Sequence, residues 1–319
     1  MINERLKTFD RIGSFSFMSK SNFGFLVFFL LLLPLAPLIY QVPAHSQNLI
    51  AISAILFLGI PHGAIDNILF LEKSRMKTAL FYGWYLGAIA INVGFWLFFP
   101  LPSFIFFILL SAYHFGQSQF GQILNTGLSK KITLYISWGL SVILGLVYFN
   151  LPELQNTIAS IEELHTFKAF FTKAVISNLL GVSIIIFFAV AGYSLYKKKL
   201  KVEHLALETL ILGLVFLSAS LFSFMIAFML FFVTIHSYKV LQEEFRHFYK
   251  IFTLQSFAGF VRKLLPLSIL SFVGIGLIFF LIQQGWLTIS YPFIMLIIIS
   301  SITLPHVFVM EKFYSKNQV

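Results

Sequence analysis

The feature that most limits what this chain can fold into is a succession of apolar runs, most of them about 17–25 residues long. They fall at roughly 22–41, 48–71, 78–100, 102–121, 131–149, 170–196, 205–220, 222–240, 264–283 and 290–311. At about 1.5 Å of rise per residue, a helix of that length crosses the hydrocarbon core of a bilayer. Two divisions need an argument. Residues 205–241 are too long for one crossing, so a tight hairpin is expected near Ser218-Ala219-Ser220. Pro100-Leu101-Pro102-Ser103 separates the third run from the fourth in the same way. Composition agrees: only 11% of the 319 residues are charged and 59% are hydrophobic, with mean hydropathy +0.91. A soluble domain carries about 25% charged residues. The expected fold is an all-α integral membrane bundle of about ten transmembrane helices with both termini cytoplasmic.

The basic residues test that count. Lys and Arg collect in the cytoplasmic loops of membrane proteins. Of the 22 basic residues, all but Lys168 and Lys173 fall in segments that ten spans place on one side. Nine or eleven spans would spoil this alternation. The net charge of +10 is thereby explained by topology, and no nucleic acid partner is implied. Residues 1–21 read as a cytoplasmic segment, 22–311 as a single transmembrane catalytic domain and 312–319 as a cytoplasmic tail. The run at 22–41 exceeds a signal-peptide core and is expected as a retained first span. The expected setting is the cell (inner) membrane, with the lipid bilayer as solvent. The loops at 150–169 and 241–263 each have room for a short interfacial helix. The absence of cysteine removes disulfides, thiolate ligands and cysteine nucleophiles.

Within this apolar frame, Gly59-Ile60-Pro61-His62-Gly63-Ala64-Ile65-Asp66-Asn67 stands out. Ionisable groups inside a membrane are costly and mark functional sites by default. Three further histidines lie inside spans: His114, His236 and His306. All four belong to runs expected to pass from outside to inside. Each lies about 12 to 16 residues from the outer end, roughly 18–24 Å deep at the helical rise. Four like-directed helices can therefore bring four imidazoles to one point. His45, His165, His204 and His247 fall in loops and read as solvated side chains.

Neutral imidazoles grouped in this way bind a metal, each giving one nitrogen while the other N–H finds an acceptor. Asp66, one turn beyond His62, is the first candidate acceptor, and Gln117 stands three residues after His114 with Ser118 at four. Tyr113, Tyr238, Thr234 and Thr303 are further candidates. Pro61 and Pro305 each precede a proposed ligand and predict a kink there, by displacing the carbonyls of Phe57 and Ser301. Imidazole suits iron, copper, nickel and zinc, and spacing alone does not choose. Tetrahedral zinc would be closed by four ligands, whereas octahedral iron(II) keeps two positions open. The paired-histidine boxes of di-iron membrane enzymes are absent, as is a pair of wide-spaced histidines on one helix for haem. Iron(II) without haem is favoured.

Pro61-His62-Gly63-Ala64-Ile65-Asp66, Tyr113-His114-Phe115-Gly116-Gln117, Ile235-His236-Ser237-Tyr238-Lys239 and Leu304-Pro305-His306 resemble the Brp/Blh family of membrane β-carotene 15,15′-dioxygenases. The resemblance runs from about residue 50 to 310. It implies oxidative cleavage of the central double bond of β-carotene by iron(II) and dioxygen into two all-trans-retinal molecules, which would serve a rhodopsin. It implies His62, His114, His236 and His306 as the Fe(2+) ligands, with no other catalytic residue. A carotenoid dissolved in lipid would enter sideways, and Phe57, Phe106, Phe107, Phe115, Phe228, Phe231 and Phe232 are candidates for the wall of its path. Two other classes compete: a transporter with Asp66 on its path, which predicts inverted repeats, and a haem-bearing electron carrier, which predicts a Soret band.

Overall fold

The computed structural model describes residues 33–72, 74–122 and 128–316. Most of the expected first span and the amino-terminal segment lie outside them. After a short helix α1 (Ala36–Gln41) come α2 (Ala44–Ala54), α3 (Asp66–Glu72), α4 (Thr78–Phe98) and α5 (Pro100–Phe120). Then follow α6 (Leu128–Phe149), α7 (Leu151–Ser160), α8 (Lys173–Tyr196) and α9 (Val202–Leu221). The chain ends with α10 (Phe224–Met229), α11 (Tyr238–Phe248), α12 (Leu254–Gln283) and α13 (Tyr291–Lys316). Among the described residues there is no strand.

Among the described residues, eight helical stretches are long and apolar enough to cross a membrane, so the chain is a multi-pass membrane protein. They run Ala44–Glu72, Thr78–Phe98, Lys130–Phe149, Lys173–Tyr196, Val202–Leu221, Phe224–Phe248, Leu254–Gln283 and Tyr291–Ser315. Helix α5, with 21 residues, is also of spanning length but is less apolar. Its inner half carries Ser111, His114, Gln117, Ser118 and Gln119, all buried. It is enclosed by other helices and has little need of a lipid-compatible surface.

The hairpins form where breakers were expected. Phe99 alone separates α4 from α5, which starts at Pro100, where a missing N–H costs nothing. The second division falls at Phe222-Ser223, just past the expected serines. The outer loop after α6 holds α7 and a 3-10 turn over Glu162–Phe167. In the inner loop no separate interfacial helix forms, because α11 continues the eighth expected span and α12 starts ten residues earlier than its apolar run.

Helices α5 and α6 pack most closely. A Cβ on Gly116 would overlap the backbone of Tyr135, and one on Gly139 would overlap that of Ala112. Small residues let membrane helices approach to backbone contact, where dispersion replaces the missing hydrophobic drive. Around this pair lies one apolar core with Phe115, Phe120, Trp138, Phe187 and Phe231. A second, with Ile65, Leu69, Phe81, Val309 and Phe313, joins α3, α4, α11 and α13. Asn92 and Trp96 of α4 donate hydrogen bonds to Ser300 of α13 at 3.0 and 2.6 Å, and Asn92 also reaches Ser301 at 3.0 Å. The histidine-bearing turns lie where the two cores meet.

Candidate metal centre

The four intramembrane histidines arrive on four different backbones. Pro61 gives no N–H to the helix behind it, so α2 cannot run on regularly. It widens to a π-helical turn over Ile55–Gly59, tightens to a 3-10 turn over Ile60–Gly63, and restarts as α3. His62 sits in that tight turn. His114 lies on the regular inner half of α5. His236 lies on a π-helical stretch, Leu230–Ser237, between α10 and α11. His306 follows Pro305 inside an uninterrupted α13. Wide turns of this type collect at functional sites.

All four rings are buried and close together. His62 has its ring centre 5.2 Å from that of His236, 5.0 Å from His306 and 6.4 Å from His114. His114 is 4.8 Å from both His236 and His306. The ligand nitrogens of His62, His114 and His236 all lie within 4.8 Å of one another.

Hydrogen bonds orient these rings the same way. The His62 Nδ1–H donates to the Gly59 carbonyl. The His306 Nδ1–H donates to Asp66 at 2.9 Å; the second Asp66 oxygen lies 3.0 Å from Nδ1 and accepts the Tyr85 hydroxyl at 2.9 Å. The Gln117 Nε2 donates to Glu311 at 2.6 Å, which leaves Gln117 Oε1 to accept from His114 Nδ1 at 3.2 Å. The Ser118 hydroxyl proton goes to the Phe115 carbonyl at 2.8 Å, so its oxygen accepts from His236 Nδ1 at 3.1 Å. With every Nδ1 a donor, every Nε2 is left with its lone pair.

Three of those lone pairs have no protein partner. The Nε2 atoms of His114, His236 and His306 are buried and unsatisfied. A buried polar atom without a partner costs about 1–3 kcal/mol. Acceptors on rings this close repel each other, and a cation between them relieves both penalties. The donor set therefore fits a metal bound through imidazole nitrogens. It does not fit a haem held between His62 and His114, the pair with ring centres 6.4 Å apart, because His236 and His306 lie within 5.2 Å of both rings, where the macrocycle would sit.

A sequence model described as beta-carotene 15,15′-dioxygenase matches residues 53–314, which include all four histidines. The chain belongs to that family. It is the family that the four histidine motifs resemble. No curated protein and no solved structure matches the chain at a significant level.

For a member of the β-carotene dioxygenase family, the surroundings of the rings correct several sequence expectations. Asp66 was expected to serve His62 from one turn away. The helix is broken between them, the i,i+4 register is lost, and Asp66 serves His306 on α13 instead. The Tyr113 hydroxyl donates to Glu311 at 2.5 Å, beside Gln117, rather than to a histidine. Tyr238 faces outward at 51% exposure. Thr234 and Thr303 return their hydroxyls to the carbonyls of Leu230 and Ile299. Among the wall candidates, Phe57 is 64% exposed and packs on Phe272, so it faces away from the rings. Phe106 is also exposed, and Phe107 packs in the outer cluster around Trp96. Phe115 is buried 4.9 Å from the His236 ring. Phe231 is buried against Phe115 and Trp138. Phe232 lies 5.4 Å from His236 and 5.8 Å from His62. Sequence reasoning missed Glu311, Tyr85 and the Gly59 carbonyl as supports. Glu311 sits beside Lys312 near a helix end, where a charge pattern reads as interfacial. Of the histidines expected in loops, His45, His204 and His247 instead lie on α2, α9 and α11 and His165 on the 3-10 turn, and the half-buried His247 pairs with Glu72 at 2.9 Å.

Proposed function

We propose that His62, His114, His236 and His306 hold iron(II) and that the protein cleaves the central 15,15′ double bond of β-carotene with dioxygen into two all-trans-retinal molecules. The observation that supports this is that every Nδ1 is anchored, while the ligand nitrogens of His62, His114 and His236 lie within 4.8 Å of one another and the His306 ring stands 5.0 Å from His62 and 4.8 Å from His114. Four neutral ligands match a divalent ion, and nitrogen donors match iron. Iron(II), when bound there, supplies the redox centre that activates dioxygen.

The residues do the remaining work by holding and excluding. Asp66, Gln117, Ser118 and the Gly59 carbonyl keep each Nδ1–H engaged, so no ring turns its proton toward the metal. The apolar cores on either side exclude water from the reacting bond. The balance of the reaction needs no acid or base: one carbon–carbon double bond and the oxygen–oxygen bond break, and two carbonyl groups form. No proton enters or leaves, in keeping with a centre whose Nδ1 protons are all committed. A lipid-dissolved substrate suits a multi-pass bundle, and the retinal would pass to a rhodopsin from the same cell membrane.

Expression in β-carotene-producing cells tests the reading. The expected result is loss of orange colour with accumulation of retinal, abolished in His114→Ala and His236→Ala. Full retinal production by either variant would contradict it.

A further inference from the structure

We infer that Phe224, Phe228 and Phe232 form a rail that leads the polyene to the histidines, and that Phe232 is the positioning residue that sets which double bond is presented. This rests on the reading of the site as a carotenoid-cleaving centre. The three residues are four apart on α10 and the π-helical stretch after it, so each ring stands one turn beyond the last. Phe224 and Phe228 have ring centres 6.2 Å apart with planes 6° from parallel. Phe228 and Phe232 are 5.4 Å apart at 19°, and Phe232 and His236 are 5.4 Å apart at 29°. Most other aromatic neighbours in the protein meet tilted or edge-on. This row is aligned, and it ends on a proposed ligand.

Burial separates the row from its surroundings. Phe115, Phe231 and Trp138 are fully inside the core, whereas all three rail residues are only partly buried, packed on that core by one side. The outer end is pinned: Glu153 accepts the Phe224 backbone N–H at 3.0 Å, and the Ser223 hydroxyl donates to Gln47 at 3.1 Å. The inner end is pinned as well. The Phe232 ring lies so close over Gly59 that a Cβ there would collide with it, while its edge meets His62.

A polyene carries no hydrogen-bonding group along its conjugated length, and its double bonds differ mainly in distance from the two ends. Shape alone can choose among them. Ring edges present partial positive charge that suits a π-face, so a strip of phenylalanines attracts the chain without fixing its register. The register needs a stop, and Phe232 is the ring held both by Gly59 and against two of the histidines. If the chain slips, the same chemistry at another double bond gives two aldehydes of unequal length, with atoms still balanced.

The test uses purified iron-loaded protein in detergent with β-carotene, products being separated by chromatography. Wild type is expected to give retinal alone. Phe232→Ala is expected to keep its iron and release unequal apocarotenals, and Phe228→Ala to raise KM several-fold while still giving retinal. A Phe232→Ala protein with full iron that makes only retinal at wild-type KM overturns the rail. If Phe232→Ala does not fold, Phe232→Leu and Phe228→Ala decide, and unchanged products and KM in both overturn it. A wild type that releases no aldehyde overturns the proposed function and the rail with it, whereas an active wild type with indifferent variants overturns the rail alone.

Discussion

A neutral imidazole offers either nitrogen to a metal, and the hydrogen bond at the other nitrogen decides which. Asp66 is the strongest of these determinants here, since both its oxygens lie within 3.0 Å of His306 Nδ1. Losing such an outer partner typically costs about 10–100-fold in metal affinity or activity. Asp66→Ala is therefore expected to lose iron to a chelator at a concentration roughly 10–100-fold lower than wild type does. Equal retention would show that His306 is oriented by something else. Glu311→Gln is expected to do less, because it only frees the Gln117 amide to turn its NH2 toward His114; a several-fold loss in the same chelator titration is the expected outcome. Asp66 was legible in the sequence as an intramembrane carboxylate, yet its partner was not. The tight turn that carries His62 breaks the register on which an i,i+4 argument depends, and His306 is reached only across helices. Glu311 was invisible for a related reason: it acts through Gln117, and no spacing rule connects the two.

Among the elements, the α5–α6 pair is the most sensitive to added volume. Gly116→Ala and Gly139→Ala would each place a methyl group on the facing backbone. Overpacking of this kind costs about 1–3 kcal/mol, and here the obstacle is main chain that cannot rotate away. Both variants are expected to melt at lower temperature in detergent. Gly181→Ala on α8 meets nothing within 4 Å and is the matched control, expected to be neutral or slightly stabilising. Equal melting of all three would contradict the close approach. In the outer loops, Glu163 accepts the Ser290 N–H at 2.8 Å, which lowers its pKa below the usual carboxylate value. A lowered folded-state pKa means that this link stabilises above the ordinary carboxylate pKa and is lost as pH falls through the lowered one. Acidification through that range should loosen the contact before α13, seen as faster amide exchange at Ser290, and Glu163→Gln should remove that pH dependence. Proline and loop signals made the two hairpins legible to within a few residues. The π-helical stretch at Leu230–Ser237 carries no proline or glycine, and nothing in its local sequence announces it.

At the scale of the whole molecule, hydropathy and the one-sided distribution of lysine and arginine were enough to read a multi-pass helical bundle. They could not say which apolar residues face inward. Phe57 and Phe115 are the same residue type on adjoining sides of the site, one 64% and the other 6% exposed. In a soluble protein water would separate them by polarity, but lipid tolerates both. The inner half of α5 shows the converse: it is polar and buried, and lowers the hydropathy of the helix below that of a lipid-facing span because other helices surround it. The histidines were legible because charge and polarity are rare at that depth, and because four like-directed helices placed them at one level. Their convergence is the centre of the account, and bound iron tests it most directly. Metal per chain, measured by mass spectrometry on monodisperse protein, is expected to be stoichiometric iron in wild type and in a His204→Ala control. It is expected to fall to background in His62→Ala, His114→Ala, His236→Ala and His306→Ala. Wild type without iron, or any of these four variants retaining it in full, would contradict the four-histidine centre.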